Sequence, residues 1–223
     1  MPTRPVRIEA ARDHTIRARL YYPPSTSSSS RPLKAAVIAN PYQHHGGSYN
    51  NHVIIALATR LEELGYLVLT FNFRRRKTSW NGHVEVDDMR STIDWLLHAY
   101  ESVEDLVIAG YSYGALVASA CDPHPIADRT LHTAWLFLSL PLDSYRYSLW
   151  MFPKPKRVYR GHKVLGVWGS LDEFAPLKRY SRKADRPEWT VCTIDGCGHF
   201  IEDEEHKESM LAFVVDWIDR EHH

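Results

Sequence analysis

The chain predicts an α/β protein, a mostly parallel sheet of about seven or eight strands with helices on both faces. Three observations predict it. Short apolar runs recur from Lys34 onward, as strands buried on both faces require. Amphipathic segments free of Gly and Pro lie between several of them, such as His52–Leu64 and Val84–Tyr100. Strand and helix therefore alternate, which is the pattern of a parallel sheet wound by crossover helices. A length of 223 residues suits a single such domain, and no internal repeat or boundary divides it.

The elements follow in order. Val6–Ile8 and Thr15–Tyr22 alternate like a first antiparallel hairpin. Residues 23–32 are a Ser/Pro-rich surface connector with nothing to contribute to a core. Lys34–Asn40 is a strand, and His52–Leu64 a helix closed by Gly65. Tyr66–Phe73 is a strand and Val84–Tyr100 a helix. Asp105–Ala109 is a buried strand, Ala115–Ala120 a small-residue helix, and Thr133–Leu140 a strand. Residues 141–161 form an irregular aromatic loop. The strand His162–Trp168, a helix near Lys178, the strand Glu188–Ile194 and a terminal helix from about Asp203 complete the chain. The stretch between the sixth and seventh strands leaves no room for a cap domain.

Gly110-Tyr111-Ser112-Tyr113-Gly114 joins a strand to a helix. A Gly-x-Ser-x-Gly in that setting is a nucleophile elbow. The glycines let strand and helix approach, and the serine hydroxyl stands at the carboxyl edge of the sheet. An activated serine needs a base, and the base an orienting carboxylate. Asp172 lies just past the end of the 162–168 strand, and His199 on a glycine-flexed loop after the last strand. All three thus reach one edge, in the order serine, acid, histidine.

With these residues in view, the chain resembles the α/β-hydrolases, and among them small lidless enzymes related to short carboxylesterases, thiohydrolases and dienelactone-hydrolase-like proteins. The stretches that carry the resemblance are Asn40–Asn51, Phe71–Arg74, Gly110–Gly114, Gly169–Pro176 and Gly198–Phe200. They span the chain from about Lys34 to its end. The resemblance implies the α/β-hydrolase fold, with Ser112 as nucleophile, Asp172 as acid and His199 as base. It departs in two loops. Asn40-Pro41-Tyr42 stands where relatives usually have His-Pro-His, and Arg74-Arg75-Arg76-Lys77 where they often have Arg-Gly-x-Gly.

Acyl chemistry also needs donors for a tetrahedral oxyanion. The N–H of Tyr113, which follows the nucleophile, is one. Relatives place the second in the loop after the third strand, which points to the N–H of Tyr42. Gly46-Gly47 either folds that loop back or is only a turn. For the substrate pocket, the loop aromatics Tyr145, Tyr147, Trp150 and Phe152 follow the sixth strand on the active edge. They either wall the pocket, cover the sheet or meet a second subunit. Tyr42, Tyr49 and Trp80 are pocket candidates by the same topology.

Composition excludes other classes. Formal net charge is zero, so no nucleic-acid partner is expected. The Arg74–Lys77 run reads as a solvated loop without a nucleic-acid recognition motif, or else as a binder of a substrate carboxylate or a carrier phosphate. No run is apolar enough to span a bilayer, and the N-terminus lacks the apolar core of a signal peptide. No membrane partner is expected, and a cytoplasmic location is the default expectation. Three cysteines give no disulfide framework. Cys192 and Cys197 read as unrelated thiols, and His44-His45 lacks companions, so neither metal nor cofactor is expected. Glu202–Glu205 reads as helix N-terminal charge. The terminal His222-His223 is native or a tag remnant.

Two function classes follow. One is a serine hydrolase acting through an acyl-serine on a small or medium ester or thioester, its small-molecule acyl substrate free or carrier-bound. A lactone-forming cyclase or a chain-releasing thioesterase of a biosynthetic pathway uses the same acyl-enzyme. The other class is a non-catalytic ligand-binding protein, which typically loses a triad residue that this chain keeps. Monomer and homodimer are both compatible with the sequence.

Overall fold

The computed structural model describes residues 3–10, 14–24, 33–43, 46–74, 82–122, 130–141, 162–183 and 185–221. Within them the strands are β1 (Thr3–Ala10), β2 (His14–Tyr21), β3 (Leu33–Ala39), β4 (Tyr66–Asn72), β5 (Val103–Tyr111), β6 (His132–Leu138), β7 (Lys163–Gly169) and β8 (Trp189–Ile194). The helices are α1 (His52–Glu63), α2 (His83–Ala99), α3 (Tyr113–Ala120), the short α4 (Leu177–Tyr180) and α5 (Glu204–Glu221).

The strands form one eight-stranded sheet in the order β1-β2-β4-β3-β5-β6-β7-β8. β1 pairs antiparallel with β2, and β2 antiparallel with β4. All remaining pairs, β4 with β3 through to β7 with β8, are parallel. This is the mostly parallel sheet that the alternating pattern requires.

Both faces of the sheet are covered. On one, Ala35, Val37 and Ala39 of β3 join Met89 of α2, Leu116 of α3 and Tyr180 of α4 in a single core. On the other, Ala36 and Ile38 of the same strand join Leu57 and Leu61 of α1 and Met210 and Trp217 of α5. The period-two alternation of side chains therefore feeds two apolar layers, and β3 has no polar face.

Several boundaries shift from the sequence reading, each for a local reason. β5 runs on to Tyr111 because Gly110 and Tyr111 still pair with Phe137 and Leu138 of β6. β6 ends at Leu138 rather than Leu140, since Ser139 takes a left-handed φ of 46°. β1 starts at Thr3 because every residue from Thr3 to Ala10 has a partner on β2. Most of the connector and nearly all of the aromatic loop, residues 25–32 and 142–161, lie outside the described residues.

Candidate active site

β5 carries the chain to the carboxyl edge of the sheet, and Ser112 turns it directly into α3. Ser112 holds φ 54° and ψ −118°, a conformation that costs an L-residue on the order of 1–3 kcal/mol. Its surroundings impose it. The Ser112 N–H donates to Leu138 O at 2.9 Å, and its carbonyl accepts from Ala115 and Leu116 at 2.9 and 3.2 Å. The flanking glycines are needed sterically. A Cβ on Gly110 would overlap the Gly114 carbonyl, and one on Gly114 would overlap the Ala39 carbonyl of β3.

Asp172 sits in the turn after β7. Its Oδ1 accepts the N–H groups of Phe174 and Ala175 at 2.9 and 3.1 Å. These bonds hold the carboxylate while it is fully buried. His199 lies on the loop after β8, its side chain only 3% exposed. Its Nδ1 is 3.0 and 3.1 Å from the two Asp172 oxygens, and its Nε2 is 2.8 Å from Ser112 Oγ. A carboxylate against Nδ1 assigns the proton of the neutral ring to that nitrogen. Nε2 is then the acceptor that faces the serine hydroxyl. The structure thus joins Ser112, His199 and Asp172 in one hydrogen-bonded line.

Further residues shape this line that the sequence reading did not single out. The Tyr111 hydroxyl donates to the His199 carbonyl at 3.1 Å, and its ring stacks on the imidazole. Burial pushes the Tyr111 hydroxyl well above its ordinary range, so it stays a protonated donor. The Phe174 ring lies 4.4 Å from the imidazole, centroid to centroid. His52, the first residue of α1, places Nε2 3.1 Å from the Ile201 carbonyl. Ile201 has a φ of 48°, an uncommon value for a β-branched residue. Tyr111 was in view as a middle residue of the elbow motif, and Phe174 as part of Gly169–Pro176. No local signal pairs His52 with Ile201.

The loop after β3 is folded on itself. Gly47 N–H donates to Tyr42 O at 3.1 Å and Gly46 N–H to Gln43 O at 3.0 Å. Gly46 has a φ of 83°, and a Cβ on Gly47 would overlap the Pro41 carbonyl. Asn40 braces the loop: its Oδ1 accepts Phe73 N–H at 3.3 Å and its Nδ2 donates to Pro41 O at 2.6 Å. The Tyr42 ring meets the Tyr113 ring at 5.1 Å, edge to face. The two residues expected to supply oxyanion donors are therefore neighbours. Burial, and then nearby Glu85, push the Tyr113 hydroxyl far up.

The other candidates are placed as follows. Tyr49 donates its N–H to Asn72 Oδ1 at 2.8 Å, and the Arg19 guanidinium lies over its ring at 4.6 Å. Trp80, Tyr145, Tyr147, Trp150 and Phe152 lie outside the described residues. Asp195 accepts the Ser170 hydroxyl at 3.1 Å, and the same hydroxyl accepts Gly196 N–H at 2.8 Å. It thus organises the turn rather than facing the imidazole. Arg74 forms a bidentate ion pair with fully buried Asp88 of α2, so its charge is neutralised locally. No described helix is long and apolar enough to cross a membrane.

Comparison with known proteins agrees with this architecture. No protein-family model matches the chain. An uncharacterized protein of Schizosaccharomyces pombe is 27% identical over 212 residues, which cover 91% of this chain and 90% of the relative. Among solved structures, a putative α/β hydrolase from Agrobacterium tumefaciens superposes with a TM-score of 0.74 at 20% identity, covering 98% of this chain and 96% of that one. A lidless α/β serine hydrolase from Xanthomonas campestris gives 0.71 at 21% identity, covering 97% and 96%. A dienelactone hydrolase from Anabaena variabilis gives 0.70 at 14% identity, covering 98% and 97%. The chain has the α/β-hydrolase fold.

Proposed function

We propose that the protein is a serine hydrolase that cleaves small or medium carboxylic esters or thioesters through an acyl-serine intermediate. The observation that carries this reading is the unbroken line from Ser112 Oγ to His199 Nε2 at 2.8 Å and from His199 Nδ1 to Asp172 at 3.0 Å. In that line each group has one task. Ser112 Oγ attacks the acyl carbon as its proton passes to His199 Nε2. The bond from the acyl carbon to the alcohol oxygen or thiol sulfur then breaks, and Nε2 returns the proton to that leaving atom. Water attacks the acyl-serine in the same way, its proton passing through Nε2 to Ser112 Oγ. Asp172 keeps the ring oriented and stabilises the imidazolium. The steps need no cofactor.

The oxyanion is assigned to the N–H groups of Tyr113 and Tyr42. Tyr113 opens α3, where the helix dipole favours developing negative charge. The Tyr42–Tyr113 ring contact holds the loop after β3 against that helix start. A complete line of nucleophile, base and acid favours catalysis over passive ligand binding.

The test is labelling with a fluorophosphonate, followed by hydrolysis of matched ester and thioester panels. Labelling at Ser112 with turnover of either panel is the expected result. An unlabelled, folded protein that turns over neither panel refutes the reading.

A further inference from the structure

Three large apolar side chains are exposed among the described residues, Ile55 at 39%, Leu171 at 67% and Phe200 at 55%. They are not scattered. Phe200 follows His199, and its ring stands perpendicular to the imidazole at 5.2 Å. Among the described residues it also meets the Phe174 ring at 6.4 Å, and Phe174 itself covers the imidazole. Leu171 precedes Asp172, and its N–H donates to Cys197 O at 2.9 Å, beside the His199 loop. Ile55 lies three residues after His52 on α1, hence on the same helical face. His52 in turn reaches Ile201 O, one residue past Phe200. Phe200 therefore stands on the imidazole itself, Leu171 on the turn that carries Asp172, and Ile55 on the helix whose first residue reaches Ile201, and exposed apolar side chains grouped around one site mark a binding surface.

Chemistry says which part of a substrate meets it. Nε2 must hand its proton to the leaving atom, so the departing group lies against His199, while the acyl group lies with Ser112 and the oxyanion donors. We propose that Phe200, with Phe174 behind it and Leu171 and Ile55 beyond, forms the leaving-group subsite, and that the leaving group is an apolar alcohol or thiol, an alkyl chain or aryl ring. This rests on the serine-hydrolase reading and adds the substrate class. A charged or strongly hydrated leaving group would find no polar partner on Phe200, Leu171 or Ile55.

The experiment uses two ester series on the full chain. One keeps an acetyl group and lengthens the alcohol from methyl to octyl; the other keeps a methyl alcohol and lengthens the acyl chain. Each enzyme is referred to its own rate on the methyl ester, so only slopes are compared. The wild type should gain about two- to threefold in kcat/KM per alcohol methylene, somewhat below the roughly fourfold of a fully buried methylene. Phe200→Ser should flatten the alcohol slope from its start and leave the acyl slope in place. Ile55→Ser, on an exposed helix position, should flatten it only for the longer alcohols. Fluorophosphonate labelling of each variant reports whether Ser112 is still assembled. Labelling with a flat wild-type alcohol slope, or variants that change only the acyl slope, would overturn the proposal while leaving the hydrolase reading intact. A wild-type dimer that Phe200→Ser converts to monomer with unchanged slopes would overturn it in favour of a subunit interface. An unlabelled wild type would instead overturn the hydrolase reading itself.

Discussion

Gly169 at the end of β7 touches Cys197 backbone to backbone, closely enough that a Cβ on Gly169 would overlap the Cys197 carbonyl and lie 2.8 Å from the Gly198 carbonyl oxygen. The loop that carries Asp172 and the loop that carries His199 are therefore pressed together without a side chain between them. Ser170 N–H to Ile194 O and Leu171 N–H to Cys197 O, both 2.9 Å, fasten the same seam. The Asp172–His199 distance is a property of this seam as much as of the two side chains.

Gly169→Ala should therefore damage stability and activity together. One added methyl at a site with no space forces backbone to move, at a cost of about 1–3 kcal/mol. Urea denaturation should show a loss of that size. Turnover should fall more than the folded fraction explains, because the imidazole shifts from Asp172. A variant as stable and active as wild type would show that the seam yields freely.

In the proposed mechanism Ser112 combines the nucleophilic hydroxyl with backbone strain, and two substitutions separate them. Ser112→Ala and Ser112→Gly both remove the hydroxyl, so both should lose fluorophosphonate labelling and several decades of turnover, since the triad acts as a unit. Only glycine relaxes a φ of 54°. Ser112→Gly should accordingly melt higher than Ser112→Ala, by the equivalent of about 1 kcal/mol. Labelling retained at another serine in either variant would remove Ser112 from its assigned role.

The acid is tested against its neighbours. Asp172→Asn should lower kcat by three to four decades, on the order seen when a triad carboxylate is neutralised and the imidazole loses its tautomer. Glu173, exposed in the same turn, and Asp195, engaged with Ser170, should each cost less than tenfold as amides. Equal losses at Asp172 and Asp195 would leave the carboxylate unassigned.

What could be read in advance follows from how local each constraint is. The sheet was legible because strands buried on both faces must be apolar where they are buried, as β3 is from Ala35 to Ala39 and β5 from Leu106 to Tyr111. The turn at Ser112 was legible because strand, glycine and helix sit within one short stretch. The positions of Asp172 and His199 at the same edge follow from strand ends in a parallel sheet. The contacts that orient them were not legible. Phe174 covers the imidazole through a tertiary fold of two loops, and Tyr111 reaches the His199 carbonyl 88 residues away. The Arg74–Lys77 run looked like one basic loop, yet Arg74 is paired with Asp88 on the following helix. β6 stops early at Ser139, whose left-handed turn has no glycine to announce it.

His52 touches neither substrate nor reacting atoms in the proposed mechanism, yet it bears on the position of the base. Ile201 is buried at 1% exposure, and its φ of 48° is held against the preference of a β-branched side chain. A hydrogen bond from His52 to its carbonyl, 3.1 Å long and 149 residues apart in sequence, pins this turn two residues after His199. Without it the turn can relax and carry the imidazole with it. His52→Ala should therefore slow turnover by about tenfold or more while leaving KM for a short ester nearly unchanged. That split is the signature of a displaced catalytic group rather than of weakened substrate binding. His52→Gln, whose amide nitrogen reaches about as far as Nε2, should restore most of the rate. A purely structural role would lower the melting temperature of both variants alike and give no such rescue, and equal kcat values for the alanine and glutamine variants would dismiss His52 as a positioning residue.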